Sequence, residues 1–159
     1  DLAFFLRAQH FGPMTTPRLA TRAIILSEDK LLLVNAWKNK AHLWCAPGGG
    51  VDPHASLPDN LAREVMEETG LTVDVGKVCL INEFHDPDGT FHQVDIYFRC
   101  SVTAGVLSDA WRDPENIVTR RRFGSRAELA QLPHKPDSLA RAAWSNALLY
   151  DPLEAIVKA

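Results

Sequence analysis

Three carboxylates recur at i, i+3 and i+4 near the middle of the chain, at Glu64, Glu67 and Glu68. On a helix, at about 100° per residue, these positions fall within one arc of roughly 100°. Like charges at this spacing repel one another. Carboxylate oxygens with no Cys or His among them are the ligands that Mg²⁺ and Mn²⁺ prefer. The spacing therefore indicates a divalent-metal site, with a solvated acidic helix face as the alternative.

A glycine run at positions 48–50 lies just upstream, and it allows backbone groups to approach a ligand closely. The residues between this run and Gly70 predict a helix. Ser56 is a good N-cap, Pro58 is tolerated in the first turn, and Gly70 is a typical stop signal. The three glutamates are expected on a polar face, opposite an apolar face made of Leu61, Ala62, Val65, Met66 and Thr69.

The stretch from Gly49 to Leu71 resembles the Nudix box, G-x5-E-x7-R-E-U-x-E-E-x-G-U, in which U is a bulky apolar residue. The matching residues are Gly49, Arg63, Glu64, Val65, Glu67, Glu68, Gly70 and Leu71. Ala55 is the one departure, because the box has its first glutamate at that position. The sequence Trp-x-x-Pro-Gly-Gly, from Trp44 to Gly49, is similar to the lead-in of many Nudix proteins. The chain is therefore identified as a member of the Nudix hydrolase family, nearest to its ADP-ribose pyrophosphatase-like branch.

The resemblance implies an α/β fold, an α/β/α sandwich around a mixed β-sheet. It implies a Nudix domain over residues 18–159, preceded by an N-terminal extension over residues 1–17. The implied activity is hydrolysis of the pyrophosphate bond in a nucleoside diphosphate linked to another group X, with Mg²⁺ or Mn²⁺ as the cofactor. ADP-ribose or a nucleotide sugar is the expected substrate type, ahead of a (d)NTP.

The resemblance also assigns roles to residues of this chain. The metal ligands are expected to be the carbonyl of Gly48 and the carboxylates of Glu64, Glu67 and Glu68. The catalytic set is the same three glutamates together with Arg63, which is expected to orient them by ion pairing. The substrate contacts are expected at Trp37, Gly49 and Glu115.

Three questions stay open at this level. The general base is either Glu68 or an acid outside the box, and the outside candidates are Glu83, Asp86, Asp113 and Glu115, of which Glu115 is preferred. Trp37 either contacts the nucleotide or has a purely structural role. The missing glutamate at Ala55 leaves open a Nudix-fold module that binds a nucleotide without turnover, although Asp52 lies close enough in sequence to brace the loop instead.

Composition narrows the remaining function classes. A length of 159 residues indicates one domain, and a net charge of −3 gives no electrostatic footprint for a nucleic-acid duplex. The three cysteines are scattered and form no C-x-x-C pair, which favours a reduced, cytoplasmic setting over a zinc site or a disulfide scaffold. No apolar run reaches the roughly 18 residues that a membrane span needs. A short helix over residues 1–12 is expected to pack on the domain or on a second subunit, which makes a homodimer possible.

The other predicted elements surround the box. Strands are expected at residues 20–26, 30–36, 43–46, 71–75, 77–85, 91–102 and 117–123, with tight turns at 27–29 and 86–89. The alternation in 91–102 indicates a half-buried strand. Loops are expected at 37–42 and 107–116, a short helix at 125–132 and a closing amphipathic helix at 136–150.

Overall fold

The computed structural model of the protein describes residues 16–37 and 40–157. Within them, nine strands form one mixed sheet. The strands are β1 (Arg18–Ser27), β2 (Lys30–Trp37), β3 (Lys40–Cys45), β4 (Gly48–Gly50), β5 (Thr72–His85), β6 (His92–Ala104), β7 (Arg121–Gly124), β8 (Leu149–Tyr150) and β9 (Glu154–Ala155). The helices are α1 (Leu57–Thr69), α2 (Arg126–Leu129) and α3 (Leu139–Ala143). The helix predicted over residues 1–12 lies outside the described residues.

The sheet brings the glycine run beside β1. Its strand order is β3-β2-β1-β6-β5-β8, with β4 on β1, β7 on β2 and β9 on β5. Strands β1 and β2 pair only next to their turn, at Leu26↔Leu31 and Ser27↔Lys30. Farther along, β1 pairs with β4 on one side and runs parallel to β6 on the other. The glycines therefore lie within the sheet rather than in a loop outside it.

Two apolar clusters cover the two faces of the sheet, which confirms the α/β/α sandwich. One cluster joins α1 to the sheet and consists of Ala23, Ile25, Leu32, Leu61, Val65, Leu71, Val73 and Phe98. The other lies on the opposite face, where Leu129 of α2 and Leu139 of α3 pack on Ile24, Leu31 and Leu33. Alternate residues of β1 and β2 thus point into different clusters, as the period of a strand requires. No helix in the described part of the chain is long and apolar enough to span a membrane.

Helix α1 has the predicted caps. The Ser56 hydroxyl accepts the N–H of Asp59 at 3.2 Å, and Pro58 lies in the first turn. Gly70 ends the helix in the left-handed conformation, with φ 74°, and its N–H donates to the Met66 carbonyl at 2.9 Å. These contacts satisfy helix-end groups that would otherwise lack partners.

Two predictions about the long strands were wrong in detail. Residues 71–85 do not form two strands, because β5 runs unbroken from Thr72 to His85 with a register shift between Val75 and Val78. Strand β6 has the predicted alternation, but its polar-looking side is the more buried one. Gln93, Asp95 and Tyr97 are 2–3% exposed, whereas Val94 and Ile96 are only partly buried.

Loop and strand boundaries differ from the prediction on either side of β2. The predicted loop over 37–42 is shorter, because Lys40 already pairs with Trp37 at the start of β3. The predicted strand over 117–123 begins only at Arg121. The residues before it donate their N–H groups to side chains: Ile117 and Val118 to the Asp113 carboxylate, and Thr119 and Arg120 to the Asn35 carbonyl. Side chains therefore replace a strand ladder here.

The closing helix predicted over 136–150 was also wrong. Helix α3 has five residues and buries Leu139, Ala142 and Ala143. The chain then turns, and Leu149 enters β8, which pairs with Leu80 of β5. Leu148, which lies within the range of the predicted helix, is 69% exposed. The backbone of β8 therefore pairs with the edge of β5 and covers it, instead of continuing the helix.

Candidate active site

Strand β4 approaches β1 more closely than residues with side chains would allow. Gly48 has φ 152°, and a Cβ atom built on it would lie 1.9 Å from the Thr21 carbonyl oxygen. A Cβ atom on Gly49 would lie 2.6 Å from the carboxylate of Glu64. Glycine at these positions thus permits both the strand pairing and the entry of the Glu64 carboxylate beside the backbone.

The acidic face of α1 is turned toward this glycine strand. Glu64 is 7% exposed and Glu68 is 8% exposed, so the expectation of a polar face for these two residues was wrong. The Glu68 carboxylate accepts the N–H of Gly48 at 3.3 Å. Met66, expected on the apolar face, is instead 36% exposed. The buried face of the helix therefore includes Glu64 and Glu68, which lie over the glycines, and excludes Met66.

Burial changes the protonation of these acids. Burial raises the pKa of Glu68 to about 8, although the Arg22 charge and the Gly48 N–H act in the opposite direction. Burial also raises the pKa of Glu64, with the neighbouring Arg63 opposing it. Two carboxylates that are costly to charge, placed side by side, are stabilised by a bound cation.

This burial predicts a pH dependence of stability. In chelator-treated protein the melting temperature is expected to fall by roughly 5 °C or more between about pH 5 and pH 8.5. The folded protein holds the Glu68 proton up to a pKa of about 8, whereas the ordinary value for an exposed glutamate is 4.5. The stabilisation is thus complete below the lower value and lost as pH rises through the higher one.

Thermal unfolding followed by circular dichroism across this range measures the effect, and Glu68→Gln serves as the control because it lacks the titrating group. A wild-type curve that parallels the Glu68→Gln curve would contradict the burial-driven shift.

Arg63 connects the loop after β4 to the helix carboxylates. Its guanidinium donates to Glu67 at 2.9 Å, to Asp52 at 3.0 Å and to Glu64 at 3.1 Å. The contacts to Glu64 and Glu67 are those expected if Arg63 orients the acids by ion pairing. The contact to Asp52 shows that an acid other than the missing box glutamate ties this loop to the helix.

A cavity of roughly 440 Å³ opens over the buried acids. Its walls include Gly48, Gly49, Glu64 and Glu68, and also Glu115 from the loop before β7. The structure thus brings together most of the residues singled out in the sequence. Trp37 ends β2, and its side chain lies outside the described residues.

The other candidate bases have different surroundings from Glu115. Asp113 is 8% exposed and its carboxylate accepts three backbone N–H groups of its own loop. Glu83 accepts the Tyr150 hydroxyl, and Asp86 accepts the N–H of Asp88 in the turn between β5 and β6. Of the outside acids, Glu115 is the one on the wall of the described cavity.

Two arginines of β1 also line the cavity, and the sequence analysis missed both. Arg22 contacts Asp95 and the Gly48 carbonyl, each at 3.4 Å, and Arg18 donates to Gln93 at 3.3 Å. The signal for Arg22 was present, because a charged residue inside an otherwise buried strand usually has a partner or a role. Arg18 lay outside the predicted strand, which was drawn to begin at Ala20.

The arginines at 120–122 are used structurally. Arg120 lies over the Trp44 ring, 4.9 Å from its centre, and Trp44 is a core residue that is 4% exposed. Arg121 donates to the backbone carbonyls of Glu68 and Val118, and Arg122 pairs with Glu128. These contacts agree with pairing rather than phosphate binding.

The donor set fits a hard divalent cation. The described residues contain no group of three His, Cys, Asp or Glu side chains that could hold a metal ion by themselves. Mg²⁺ does not require such a group, because it is usually held by one or two carboxylates, water and substrate phosphates. Glu64, Glu68 and the Gly48 carbonyl supply oxygen atoms of this kind. The rings of His85 and His92, 6.0 Å apart, pair across the β5–β6 hairpin and do not line this cavity.

Residues 16–144 match the family model of the NUDIX domain. This chain belongs to the Nudix family. The match covers the glycine strand, α1 and the loop that carries Glu115, so the Nudix assignment made from the box is confirmed. The matched range also includes Arg18 and Arg22.

Individual Nudix relatives agree with the assignment. Human nucleoside diphosphate-linked moiety X motif 6 is 35% identical over 83 residues, which is 52% of this chain and 24% of that protein. Rat diphosphoinositol polyphosphate phosphohydrolase 2 is 32% identical over 96 residues, or 60% of this chain and 50% of that protein. The chain thus spans half or less of the length of these two curated relatives.

A solved Nudix structure is similar over its whole length. The crystal structure of an ADP-ribose pyrophosphatase from Streptococcus suis superimposes with a TM-score of 0.62 and 27% identity, covering 86% of this chain and 100% of that one. This similarity agrees with the mixed sheet and the helices on its two faces.

Proposed function

We propose that this chain is a metal-dependent pyrophosphohydrolase that cleaves the phosphoanhydride of a nucleoside diphosphate linked to a group X. One observation carries the proposal: two buried carboxylates, Glu64 and Glu68, lie against the backbone of the glycine strand in a cavity that Arg22 also lines. Buried like charges destabilise a fold unless they are neutralised. A cavity lined by both buried acids and arginines suits a metal-bound, polyanionic substrate.

Each residue has a defined part in the proposed site. Glu64, Glu68 and the Gly48 carbonyl would hold Mg²⁺ or Mn²⁺, and Glu67 would be a further ligand or would hydrogen-bond to water on the metal. The metal, when bound, neutralises phosphoryl charge and lowers the pKa of water. Arg63 keeps the carboxylates in place through its contacts with Glu64 and Glu67.

The proton of the attacking water has two candidate acceptors. Glu68 is held close to the Gly48 backbone, and the charge of a bound metal would lower its raised pKa toward the range where it accepts a proton near neutrality. Glu115 lies on the same cavity wall and contributes a repulsive charge to Glu64. A Glu115→Gln variant distinguishes the two candidates. Its kcat stays close to the wild-type value if Glu68 is the base and falls strongly if Glu115 is the base.

The substrate class follows from what surrounds the acids. Arg18 and Arg22 line the cavity beside Glu64 and Glu68 and would contact the phosphates, with the Gly49 backbone as a further predicted contact. A second, mainly apolar cavity shares Arg22 and Phe84 with the first and is also lined by Leu43 and Tyr97, and it would take a nucleoside or the group X. The similarity to an ADP-ribose pyrophosphatase structure favours ADP-ribose or a nucleotide sugar over a (d)NTP.

Replacing Arg18 with glutamine is expected to raise KM about 10-fold while kcat changes less than about twofold, because a charged hydrogen bond to phosphate contributes about 1.5–3 kcal/mol. Arg18 is the cleaner target of the two arginines, since removing Arg22 would leave the 3%-exposed Asp95 without its cation. Steady-state kinetics measure the effect. Arg126→Gln, an exposed arginine of α2, is the matched control. A drop in kcat with unchanged KM would contradict a phosphate-binding role.

A substrate panel tests the proposed function. The protein is incubated with ADP-ribose, nucleotide sugars, dinucleoside polyphosphates and (d)NTPs in Mg²⁺, and the products are separated by chromatography. Metal-dependent formation of a nucleoside monophosphate from a diphosphate derivative supports the proposal. Tight binding of a nucleotide without any product would contradict it and favour the binding-module alternative that Ala55 left open. A cytoplasmic location and a homodimer stay predictions of the sequence.

A further inference from the structure

Asn60 is a polar residue in an unusual place. It is the fourth residue of α1, where asparagine is an unfavourable helix former, and it is 1% exposed. A buried amide without partners is costly. Its presence there therefore points to specific hydrogen bonds that stabilise something other than the helix itself.

The Asn60 amide uses all four of its hydrogen-bond positions. Its oxygen accepts the N–H of Asp52 at 3.1 Å and the Arg63 guanidinium at 3.1 Å. Its nitrogen donates to the Gly50 carbonyl at 3.1 Å and to the Thr21 hydroxyl at 3.3 Å. An asparagine side chain has two donor hydrogens and an acceptor oxygen with two lone pairs, so this set is complete.

These four partners belong to four different segments: β1, β4, the loop after β4, and α1. Two of them, Gly50 and Asp52, flank the turn into the loop that lacks the box glutamate at Ala55. A third, Arg63, also holds Glu64 and Glu67. One side chain thus fixes the glycine strand, the following loop and the arginine of the acidic cluster relative to one another.

We propose that Asn60 is a positioning residue, which sets the distance between the Gly48–Gly50 backbone and the helix carboxylates and thereby sets metal affinity. The inference rests on the proposed function, because the metal is the group whose binding it tunes. Asn60 does not line the described cavity, so it acts through Gly50, Asp52 and Arg63 and does not touch substrate.

Two substitutions at Asn60 remove different numbers of its hydrogen bonds. Asn60→Asp keeps the oxygen that accepts from Asp52 and Arg63 but loses the donors to Gly50 and Thr21. Asn60→Leu has the same branched heavy-atom skeleton, although it is larger, and loses all four bonds. Partners that orient metal-site groups typically change affinity or activity by about 10- to 100-fold when removed. We expect Asn60→Leu to weaken metal binding and lower kcat by about this factor, Asn60→Asp to do so by less, and KM to change little in either.

Thr69→Val is the matched control. Thr69 is on the same helix and is also 1% exposed, but its hydroxyl bonds only helix-end backbone groups, the Val65 carbonyl and the Leu71 N–H. It should lower the melting temperature without changing metal affinity or kcat.

The test measures Mn²⁺ binding by calorimetry, melting temperature, and kcat and KM on the full chain. The inference is supported if both Asn60 variants bind Mn²⁺ more weakly than the wild type, Asn60→Leu more so than Asn60→Asp, and if Thr69→Val binds Mn²⁺ with wild-type affinity. Wild-type Mn²⁺ affinity in a folded Asn60→Asp variant, with only the melting temperature lowered, would overturn it. If Asn60→Leu does not fold, Asn60→Asp decides the outcome. If the wild-type protein binds Mn²⁺ but hydrolyses no substrate, the proposed function fails. The calorimetric measurement of Mn²⁺ binding then still decides the role of Asn60.

Discussion

Replacing Glu68 with glutamine is expected to lower kcat by roughly 100- to 10,000-fold and to raise the melting temperature of chelator-treated protein. The carboxylate is 8% exposed, and burial raises its pKa to about 8. A neutral amide of the same shape removes the cost of burying charge and the repulsion from Glu64, while its carbonyl can still accept the Gly48 N–H. Loss of activity with gain of stability is the expected result for a group kept for function.

Single-turnover kinetics and thermal unfolding measure the two effects. Asp59→Asn is the control, because this carboxylate lies on the same helix but is exposed, and both quantities should change little. Near-normal kcat in Glu68→Gln would place Glu68 outside the reacting centre. A lower melting temperature would show instead that the carboxylate is a structural acceptor for the Gly48 N–H.

The second large effect is metal removal. Exhaustive chelation is expected to abolish hydrolysis, and Mg²⁺ or Mn²⁺ is expected to restore it, whereas Zn²⁺ alone should not. The reason is the proposed ligand set, which consists of carboxylate and carbonyl oxygens, and among the described residues no histidine or cysteine lines this cavity. Cys45, on the strand that leads into the glycines, does not change this expectation, because burial raises the pKa of its thiol to about 12.

Activity assays after metal stripping and re-addition provide the measurement. The same additions should raise the melting temperature, because an ion that binds only the folded protein stabilises it. Glu68→Gln is the control, since it should show little of this stabilisation. Full hydrolysis in excess chelator after stripping would contradict the metal dependence.

Much of the fold could be predicted because local signals agree with the tertiary structure. The caps of α1, the turn at Glu28 and Asp29, and the turn after His85 are set by residues within a few positions of each feature. The prediction of a closing helix was wrong because its apolar residues pack in two different places. Leu139 packs on the face of the sheet, whereas Leu149 joins the edge of the sheet. Periodicity in one sequence cannot distinguish these destinations.

The site was predictable in its residue types but not in its burial. Spacing placed Glu64 and Glu68 on one face, yet glutamates are usually exposed, and only the approach of β4 to the helix makes them buried. The prediction extends β7 too far back because the N–H groups before Arg121 donate to side chains instead of to a strand. The acceptors are Asp113 and Asn35, and Asn35 is 85 positions from Arg120 in the sequence. Asn60 gave a weak signal of the same kind, an asparagine inside an otherwise regular helix.

The most direct test of metal-assisted attack by water is hydrolysis followed by ³¹P NMR in ¹⁸O-labelled water. ADP-ribose is incubated with the protein, first after chelation and then with Mg²⁺ restored. The proposed function predicts no change until Mg²⁺ is present, and then cleavage to two phosphomonoesters of which one carries a single ¹⁸O atom. If ADP-ribose fails, the nucleotide sugars of the panel are taken in turn. Bound but intact substrate across the whole panel, with Mg²⁺ present, would contradict hydrolysis and make the chain a nucleotide-binding member of its family.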